Sequence, residues 1–307
     1  MIVVFGSINI DLVQRTPHLP APGETVLCDG YDLVPGGKGA NQALAAARAG
    51  ASTAMIGMVG PDAFADAALR DLSQTGVDLS GIGRSTRPTG CASVHVAEDG
   101  ENAIVVSSGA NQTVTANQAP DSTFTPDTTV LLQMEIPLSE NRAFLHRAHG
   151  AVRRAILNAA PAGPIPDDAL DCLDILVVNE GEGAMIATQA GLSASSLRDV
   201  PAQLARRYDL TCILTLGADG AIIASADDIF SVGAAPVTPI DTTGAGDTFV
   251  GFLAAGLDSG LDLRTASARA SLAAGLACTV TGAQTSIPTA LAVDANLRHL
   301  PKVETLN

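Results

Sequence analysis

The sequence of 307 residues predicts an α/β fold with a mainly parallel central sheet and a small antiparallel sheet beside it. Three observations support this prediction. Short apolar runs rich in β-branched residues recur along the chain, helical patterns lie between several of them, and one region has the pattern of a hairpin instead. Strands that are apolar throughout and alternate with helices are typical of a parallel sheet covered on both faces.

The elements of the large sheet follow from these patterns. Its expected strands are IVVF at 2–5, TAMIGMV at 53–59, TVLLQM at 129–134, AVRRAIL at 151–157, ILVV at 175–178 and CILTL at 212–216. Helical patterns occur at 41–50, at 66–76, and from 244 almost to 281 with a break near DSGLDL. Ala, Gly and Ser dominate the last helices, and such small residues allow close packing against a sheet or a ligand.

The small sheet is predicted from three separate segments. Residues 89–107 form two alternating runs around EDGEN, whose residues favour a turn. Residues 10–18 and 25–34 are expected to be extended as well. Together they predict one domain over 1–307 with a discontinuous lid, because small sheets beside a ligand cleft often close over it. The alternative is an edge extension of the main sheet.

The composition excludes several classes of protein. With a net charge of −15 and scattered Lys and Arg, we expect no nucleic-acid partner, although helix N-termini and metal ions can still hold the phosphates of one nucleotide. No run approaches the ~20 apolar residues that span a bilayer, and the N-terminus lacks the pattern of a signal peptide. We therefore expect a cytoplasmic protein without a membrane partner. The five cysteines occur singly, which predicts reduced thiols.

The stretch DTTGAGDTF at 241–249 is the strongest indication of chemistry. Gly244 and Gly246 let the backbone approach a ligand, and the helix that begins here presents unpaired N–H groups and a positive dipole end. Such an end can hold a transferring phosphoryl group. The carboxylate of Asp247 would repel a phosphate, so it fits better as a general base that accepts a proton from a hydroxyl. The alternative is a simple helix cap.

Two further stretches favour a small polar ligand. PGGKGANQALAAARAG at 35–50 combines a glycine cluster with Asn41, and it has neither the Walker A order nor the dinucleotide spacing. Its alternative is a tight loop. In GSINID at 6–11, Asn9 and Asp11 alternate, so both can face one side of an extended segment and bind a vicinal diol. Asn and Asp after a strand are also common turn residues.

Eight stretches, in order and spacing, resemble the ribokinase-like carbohydrate kinases (the PfkB family) from residue 2 to about 288. They are GSINID, PGE, GGKGANQ, GENAI, LQME, NEGE, TLGADG and DTTGAGD. The resemblance implies a Rossmann-type three-layer sandwich with a small sheet as its lid. GGKGANQ, Asn9 with Asp11, and Glu135 are similar to the branch of the family that transfers phosphate from ATP to the 5-hydroxyl of ribose.

The resemblance also implies the residues of the sugar and phosphate sites. The sugar would be bound by Asn9, Asp11, Gly37, Lys38, Gly39, Ala40, Asn41 and Glu135, with Asp247 as the base. An anion hole for the transferring group would be formed by Gly244, Ala245 and Gly246. Asn179 and Glu182 would organise Mg²⁺, mostly through water; an exposed first-turn glutamate is the alternative for Glu182.

Nucleotide and monovalent-cation sites are implied in the same way. ATP would contact Asn179, Glu182, Thr215, Leu216, Gly217, Ala218, Asp219, Gly220, Gly246 and Ser271. Ser271 replaces the Asn or His that many members of this branch place near the adenine, which removes a possible base or ribose contact. K⁺ would be held by Asp241, Thr243, Ala277, Val280, Gly282 and Ser286. Related kinases often dimerise through their lid sheets, so a homodimer is expected.

Two alternatives to a ribose kinase stay open. One is a kinase of the same fold that acts on deoxyribose, a nucleoside or another sugar. The other is a sugar-binding regulator without activity, although a pure binder has no need of the base Asp247. The missing dinucleotide fingerprint argues against a dehydrogenase.

Overall fold

A computed structural model describes residues 1–193 and 196–306. Its strands form two sheets that share no strand. In chain order they are β1 (Ile2–Phe5), β2 (Asn9–Thr16), β3 (Asp32–Gly36), β4 (Thr53–Val59), β5 (Asp78–Arg84), β6 (Gly90–Ala97), β7 (Asn102–Ser107), β8 (Thr129–Leu132), β9 (Arg154–Asn158), β10 (Ile175–Asn179), β11 (Thr211–Thr215), β12 (Ala221–Ala224), β13 (Ile229–Val232) and β14 (Val303–Thr305).

The large sheet has the strand order β14-β13-β12-β11-β10-β9-β8-β1-β4-β5. From β11 to β5 all neighbouring strands are parallel, whereas β12, β13 and β14 continue the sheet in antiparallel fashion. The six predicted strands are confirmed. Strands β5, β12, β13 and β14 were not predicted, because β5 is polar and interrupted by glycine and the other three have only three or four residues each.

Helices cover both faces of this sheet. They are α1 (Lys38–Arg48), α2 (Phe64–Thr75), α3 (Leu138–Ala148), α4 (Asp167–Leu170), α5 (Glu180–Gln189), α6 (Val200–Tyr208), α7 (Ala245–Asp258), α8 (Leu263–Ala277), α9 (Ala283–Ser286) and α10 (Ala290–Ala295). Along β1, Ile2 and Val4 belong to the core under α1, α2, α7 and α8, while Val3 and Phe5 belong to the core under α3, α5 and α6. This alternation confirms the three-layer sandwich.

The small sheet has the order β3-β2-β6-β7. The predicted hairpin is confirmed as the antiparallel pair β6–β7, and β2 also pairs antiparallel with β3. The prediction of a purely antiparallel sheet is wrong, since β2 and β6 are parallel from Asn9 to Thr16. The connection between β2 and β6 contains strands β4 and β5 of the large sheet, and a connection of this length permits a parallel pair.

Two smaller expectations are also resolved. Of the predicted extended segment 25–34, residues 25–31 lie outside regular structure and the strand begins only at Asp32. The small sheet is not an edge extension of the large one. Within the described ranges all five cysteines are free thiols, and no helix there has the length and apolar character needed to cross a membrane.

Candidate active site

The first turn of α7 places Asp247 in the interior. Gly244 precedes the helix with φ 75°, a left-handed conformation that favours glycine. Asp247 is the third helical residue, so it is not the N-cap, and that alternative is wrong. Its side chain is buried and points at α1, where Asn41 Nδ2 donates to one carboxylate oxygen and Gln42 Nε2 to the other, each at 2.9 Å.

The surroundings of Asp247 suit a base. Burial is the largest influence and raises the pKa of its carboxyl group; Lys38 and the amides of Asn41 and Gln42 oppose it, and Glu135 adds to it. The net direction is upward, which makes the ionised carboxylate a stronger proton acceptor than an exposed aspartate.

The glycine cluster is fixed to the end of β1 through Ser7. Ser7 Oγ donates to Glu135 Oε2 at 2.6 Å, and the backbone N–H of Lys38 donates to the same oxygen at 2.9 Å. The backbone N–H of Gly39 donates to Ser7 Oγ at 3.2 Å. Gly39 must be glycine here, because a Cβ would lie 2.5 Å from the backbone nitrogen of Ser7. Glu135 and the cluster are therefore one rigid unit.

Asn9 and Asp11 lie two residues apart on β2, as predicted. Asn111 Nδ2 donates to Asn9 Oδ1 at 2.7 Å, which turns the amide nitrogen of Asn9 away from Asn111. The carboxylate of Asp11 lies against Gly36, where a Cβ would come within 2.6 Å of Oδ2. Burial, and secondarily the charge of Glu135, raise the pKa of Asp11 to about 6.

Lys38 is the cation among these acids. Burial lowers its pKa, but the carboxylates of Asp247, Glu135 and Glu182 outweigh this effect and the net direction is upward. Its ammonium group therefore stays charged at neutral pH. It offsets the negative charge of three buried or half-buried acids that act on it.

Asn179 and Glu182 form a capping box at the start of α5. Asn179 Oδ1 accepts from the backbone N–H of Glu182, and Glu182 Oε2 accepts from that of Asn179, both at 2.8 Å. The alternative of an exposed first-turn glutamate is wrong, since Glu182 is only 5% exposed. Burial raises the pKa of its carboxyl group, against the backbone hydrogen bond and Lys38.

An open cavity of about 350 Å³ adjoins the N-terminus of α7. Ala245 and Gly246 form one wall of it. Of the residues predicted for the nucleotide, the cavity is lined by Thr215, Gly217, Ala218, Gly220, Gly246 and Ser271. Leu216 and Asp219 line a different cavity, on the side of Arg198 and Lys302. Ser271 Oγ donates to the carbonyl of Gly233 at 2.7 Å, so this hydroxyl already has an acceptor in the protein.

Four of the six residues predicted for K⁺ lie in two neighbouring loops, whereas Ala277 ends α8 and Ser286 ends α9. Asp241 connects the loops, because its carboxylate accepts from the backbone N–H of Thr243 at 2.9 Å and from that of Gly282 at 2.8 Å. Ser286 is buried and donates to the carbonyl of Ala283 at 2.9 Å. Ala277 is buried, and Val280, in the turn between α8 and α9, is half-exposed. One carboxylate, one hydroxyl and several carbonyls are the oxygen donors that hard cations prefer.

Known proteins are similar to this chain along nearly its whole length. The model of the pfkB family carbohydrate kinases matches residues 1–290. The chain belongs to this family. It is 36% identical to a ribokinase of Schizosaccharomyces pombe over 96% of this chain and 97% of that protein.

Solved structures agree with this pfkB family assignment. A ribokinase from Thermotoga maritima superimposes with a TM-score of 0.90 at 30% identity, covering 97% of this chain and 99% of that one. An Arabidopsis thaliana ribokinase complexed with ribose and ATP gives a TM-score of 0.88 at 30% identity, with coverages of 97% and 98%. The expected fold class is confirmed, and the chain is a carbohydrate kinase.

Five residues of this pfkB family site were missed by reasoning from the sequence. All of them touch predicted site residues or the immediate partners of these residues: Ser7, Gln42, Asn111, Gln133 and Asn158. Gln42 carried a signal, since it directly follows Asn41 in the glycine stretch. Asn111 and Asn158 carried none, because each lies in a separate part of the chain and meets the site only through the fold.

Proposed function

We propose that this chain transfers the γ-phosphoryl group of ATP to the 5-hydroxyl of D-ribose, giving ribose 5-phosphate and ADP. The observation that carries the proposal is the buried carboxylate of Asp247 in the first turn of α7, where Ala245 and Gly246 line an open cavity. The similar proteins named as ribokinases, and the one bound to ribose and ATP, support the choice of sugar and nucleotide.

In the proposed reaction Asp247 accepts the proton of the 5-hydroxyl as its oxygen attacks the γ-phosphorus. The carboxylate has one amide donor on each of its oxygens, from Asn41 and Gln42. The backbone N–H groups of Gly244, Ala245 and Gly246 are assigned to the anion hole, since a helix N-terminus stabilises the charge that develops on the transferring group. In the free protein the N–H of Ala245 donates to the carbonyl of Thr242 at 3.2 Å. The proton stays on Asp247. The bond between the γ-phosphorus and the bridging oxygen breaks, and that oxygen leaves with the electron pair as part of ADP.

The sugar is assigned to the polar side chains on the other side of Asp247 from the cavity. Asn9, Asp11 and Glu135 supply the donors and acceptors for its hydroxyls. The rigid glycine cluster from Gly37 to Ala40, whose N–H groups at Lys38 and Gly39 are bound to Glu135 and Ser7, lets the sugar approach the backbone closely. Lys38 and Asn41 complete this set. A site built to hydrogen-bond a hydroxyl strongly rejects an analogue that lacks it, so 2-deoxyribose is expected to be a poor substrate.

ATP is assigned to the cavity lined by Thr215, Gly217, Ala218, Gly220 and Ser271. Mg²⁺ keeps several waters and is bound through few carboxylates plus substrate phosphates, which suits a site with Glu182 and Asn179 as its side-chain donors. The described residues hold no group of three or more His, Cys, Asp or Glu side chains fit for a metal ion. The metal would neutralise phosphate charge.

K⁺ is assigned to the loops joined by Asp241, with Thr243, Ala277, Val280, Gly282 and Ser286 as the other donors. The oxygen-only donor set fits a hard monovalent cation. Asp241 and Thr243 directly precede the anion hole, so these residues would hold the glycine loop in its binding conformation.

We further propose that the small sheet closes over the sugar and joins two copies of the chain as a homodimer. Its edge strand β7 exposes Ile104, Val105 and Val106, each more than half exposed. An apolar edge strand of this kind is a template for pairing with another chain. A cytoplasmic location suits the free cysteines, and the net charge of −15 argues against nucleic acid as a partner.

The proposal is tested by a coupled ADP-release assay with Mg·ATP and K⁺. Ribose is compared with deoxyribose, fructose and adenosine, and the phosphorylated product is identified by mass spectrometry. We expect ribose to have the highest kcat/KM, by about tenfold or more over deoxyribose. A preference for a nucleoside or another sugar would contradict ribose as the substrate. Ribose binding by calorimetry without turnover would instead indicate a sugar-binding regulator.

A further inference from the structure

A chain of buried amides leads to the carboxylate of Asp247. Gln42 is fully buried, and its Nε2 donates to Asp247 Oδ1 at 2.9 Å and to Asn158 Oδ1 at 3.0 Å. Gln133 Nε2 donates in turn to Gln42 Oε1 at 2.7 Å. Both amide hydrogens and the carbonyl oxygen of Gln42 are therefore engaged within the protein, and Gln42 is not needed as a ligand of the sugar.

The amides come from three different parts of the fold. Gln42 lies on α1, Gln133 follows β8 directly, and Asn158 ends β9. Asn158 Nδ2 donates weakly to the carbonyl of Val177 on the next strand, at 3.4 Å. Gly6 leaves the space for Gln133, because a Cβ there would collide with its side chain. The network thus fixes the first turn of α7 to the carboxyl edge of the large sheet.

The hydrogen-bonding chemistry allows this network one orientation. An ionised carboxylate is an acceptor only, so Gln42 must turn its nitrogen toward Asp247. The second hydrogen of that nitrogen then meets the carbonyl oxygen of Asn158. The Gln42 oxygen faces Gln133, which must donate. If the amide of Gln42 were reversed, its oxygen would face two acceptors, a repulsive arrangement in a buried site.

We propose that Gln42 is a positioning residue for Asp247, held in place by Gln133 and Asn158. Asn41 and Gln42 each occupy one carboxylate oxygen, which fixes the plane of the carboxylate and leaves its remaining lone pairs directed at the substrate hydroxyl. This inference rests on the proposed role of Asp247 as the base and deepens it. Because Gln42 directly follows Asn41, one turn of α1 donates hydrogen bonds to both carboxylate oxygens of Asp247.

The same geometry predicts an effect on the pH profile. The groups that act on Asp247 are Lys38, Asn41 and Gln42, which lower its pKa, and burial and Glu135, which raise it; Glu182 acts on Lys38. Without the Gln42 donor, one of the interactions that lower the pKa of Asp247 is lost, so the effect of burial is larger and the pKa rises. Because the base works only when ionised, the acid limb of kcat then moves to higher pH.

The test is Gln42→Met, which keeps the length of the side chain and removes the amide. We expect kcat for ribose phosphorylation to fall by about 10- to 100-fold, the equivalent of a hydrogen bond to a charged group. KM for ribose should stay within about threefold, since Gln42 does not bind the sugar, and the acid limb should move upward. Gln118→Met is the matched control, because it makes the same change at a half-buried glutamine whose amide donates to the carbonyl of Gly57 and does not contact the network around Asp247.

A folded Gln42→Met variant with unchanged kcat and acid limb would overturn the positioning role, as would a raised KM with unchanged kcat. If Gln42→Met does not fold, Gln133→Met decides: it should lower kcat by about threefold with the same pH shift, and an unchanged profile would overturn the proposal. Wild type without ribokinase activity would refute the proposed function instead. Active wild type beside inactive Asp247→Asn and fully active Gln42→Met would refute only the inference.

Discussion

Replacing Asp11 by Asn should stabilise the free protein, and more so at pH 8 than at pH 5. Burial and Glu135 raise the pKa of this carboxyl group to about 6 in the folded state, from 3.8 in the unfolded chain. A raised carboxyl pKa means that folding disfavours the ionised form. The free energy of unfolding therefore falls as pH rises from 3.8 to 6, and the asparagine variant is spared this loss.

The magnitude follows from the size of the shift. About two pKa units correspond to ~3 kcal/mol of lost stability above pH 6, at 1.36 kcal/mol per unit. Roughly half of this loss is already present at pH 5, so the advantage of Asp11→Asn should grow by about 1.5 kcal/mol between pH 5 and pH 8. The measurement is urea unfolding of both proteins without sugar at these two pH values.

Asp62→Asn is the matched control of opposite sign. Burial raises the pKa of Asp62, but hydrogen bonds from Thr89 and Phe64 outweigh it and the net direction is downward. Its folded and unfolded pKa values both lie below 5, so this variant should lose a similar amount of stability at both pH values. A pH-independent effect of Asp11→Asn, or a destabilisation that grows with pH, would refute the reasoning about Asp11.

Three further predictions concern the glycine cluster, the cation loops and the edge of the small sheet. Gly39→Ala should destabilise the fold by about 1–3 kcal/mol and raise KM for ribose, because its Cβ would press on the backbone of Ser7; Gly30→Ala, with open space around it, is the control, and equal melting temperatures would contradict the clash. Turnover should be higher in K⁺ than in Na⁺ at equal ionic strength, and Asp241→Ala should abolish the difference; equal rates in the two salts would count against the cation site. Val105→Asp, in the exposed β7 strand, should convert dimers to monomers in sedimentation velocity with the fold intact, and a wild type that is already monomeric would refute the lid-sheet dimer.

Sequence reasoning succeeded where the physical signal is local. The apolar runs of β4 and β10, the two glycines at the start of α7 and the position of Asp247 are all visible in a short window of residues. The parallel pairing of β2 with β6 was not visible, because it depends on a crossover of more than seventy residues through the main sheet. The same holds for Ser7, which meets Glu135 across 128 positions of the chain.

The amides around Asp247 show the limit most clearly. Gln42 and Asp247 are separated by 205 positions, and Gln42 and Asn158 by 116. The position of Gln42 beside Asn41 indicates that it lies near the site, but it does not show which carboxylate or amide the side chain contacts. The role of the carboxylate could be predicted from its glycine-rich context, whereas the groups that hold it could be identified only in the folded structure.

The most direct test of the account is the turnover of Asp247→Asn with ribose and Mg·ATP in K⁺. We expect kcat to fall by about 10²–10⁴-fold, the usual contribution of a general base, while ribose binding measured by calorimetry and the melting temperature stay close to wild type. A folded variant that keeps kcat within about tenfold of wild type would contradict Asp247 as the base, since a lost general base costs at least ~10² in rate.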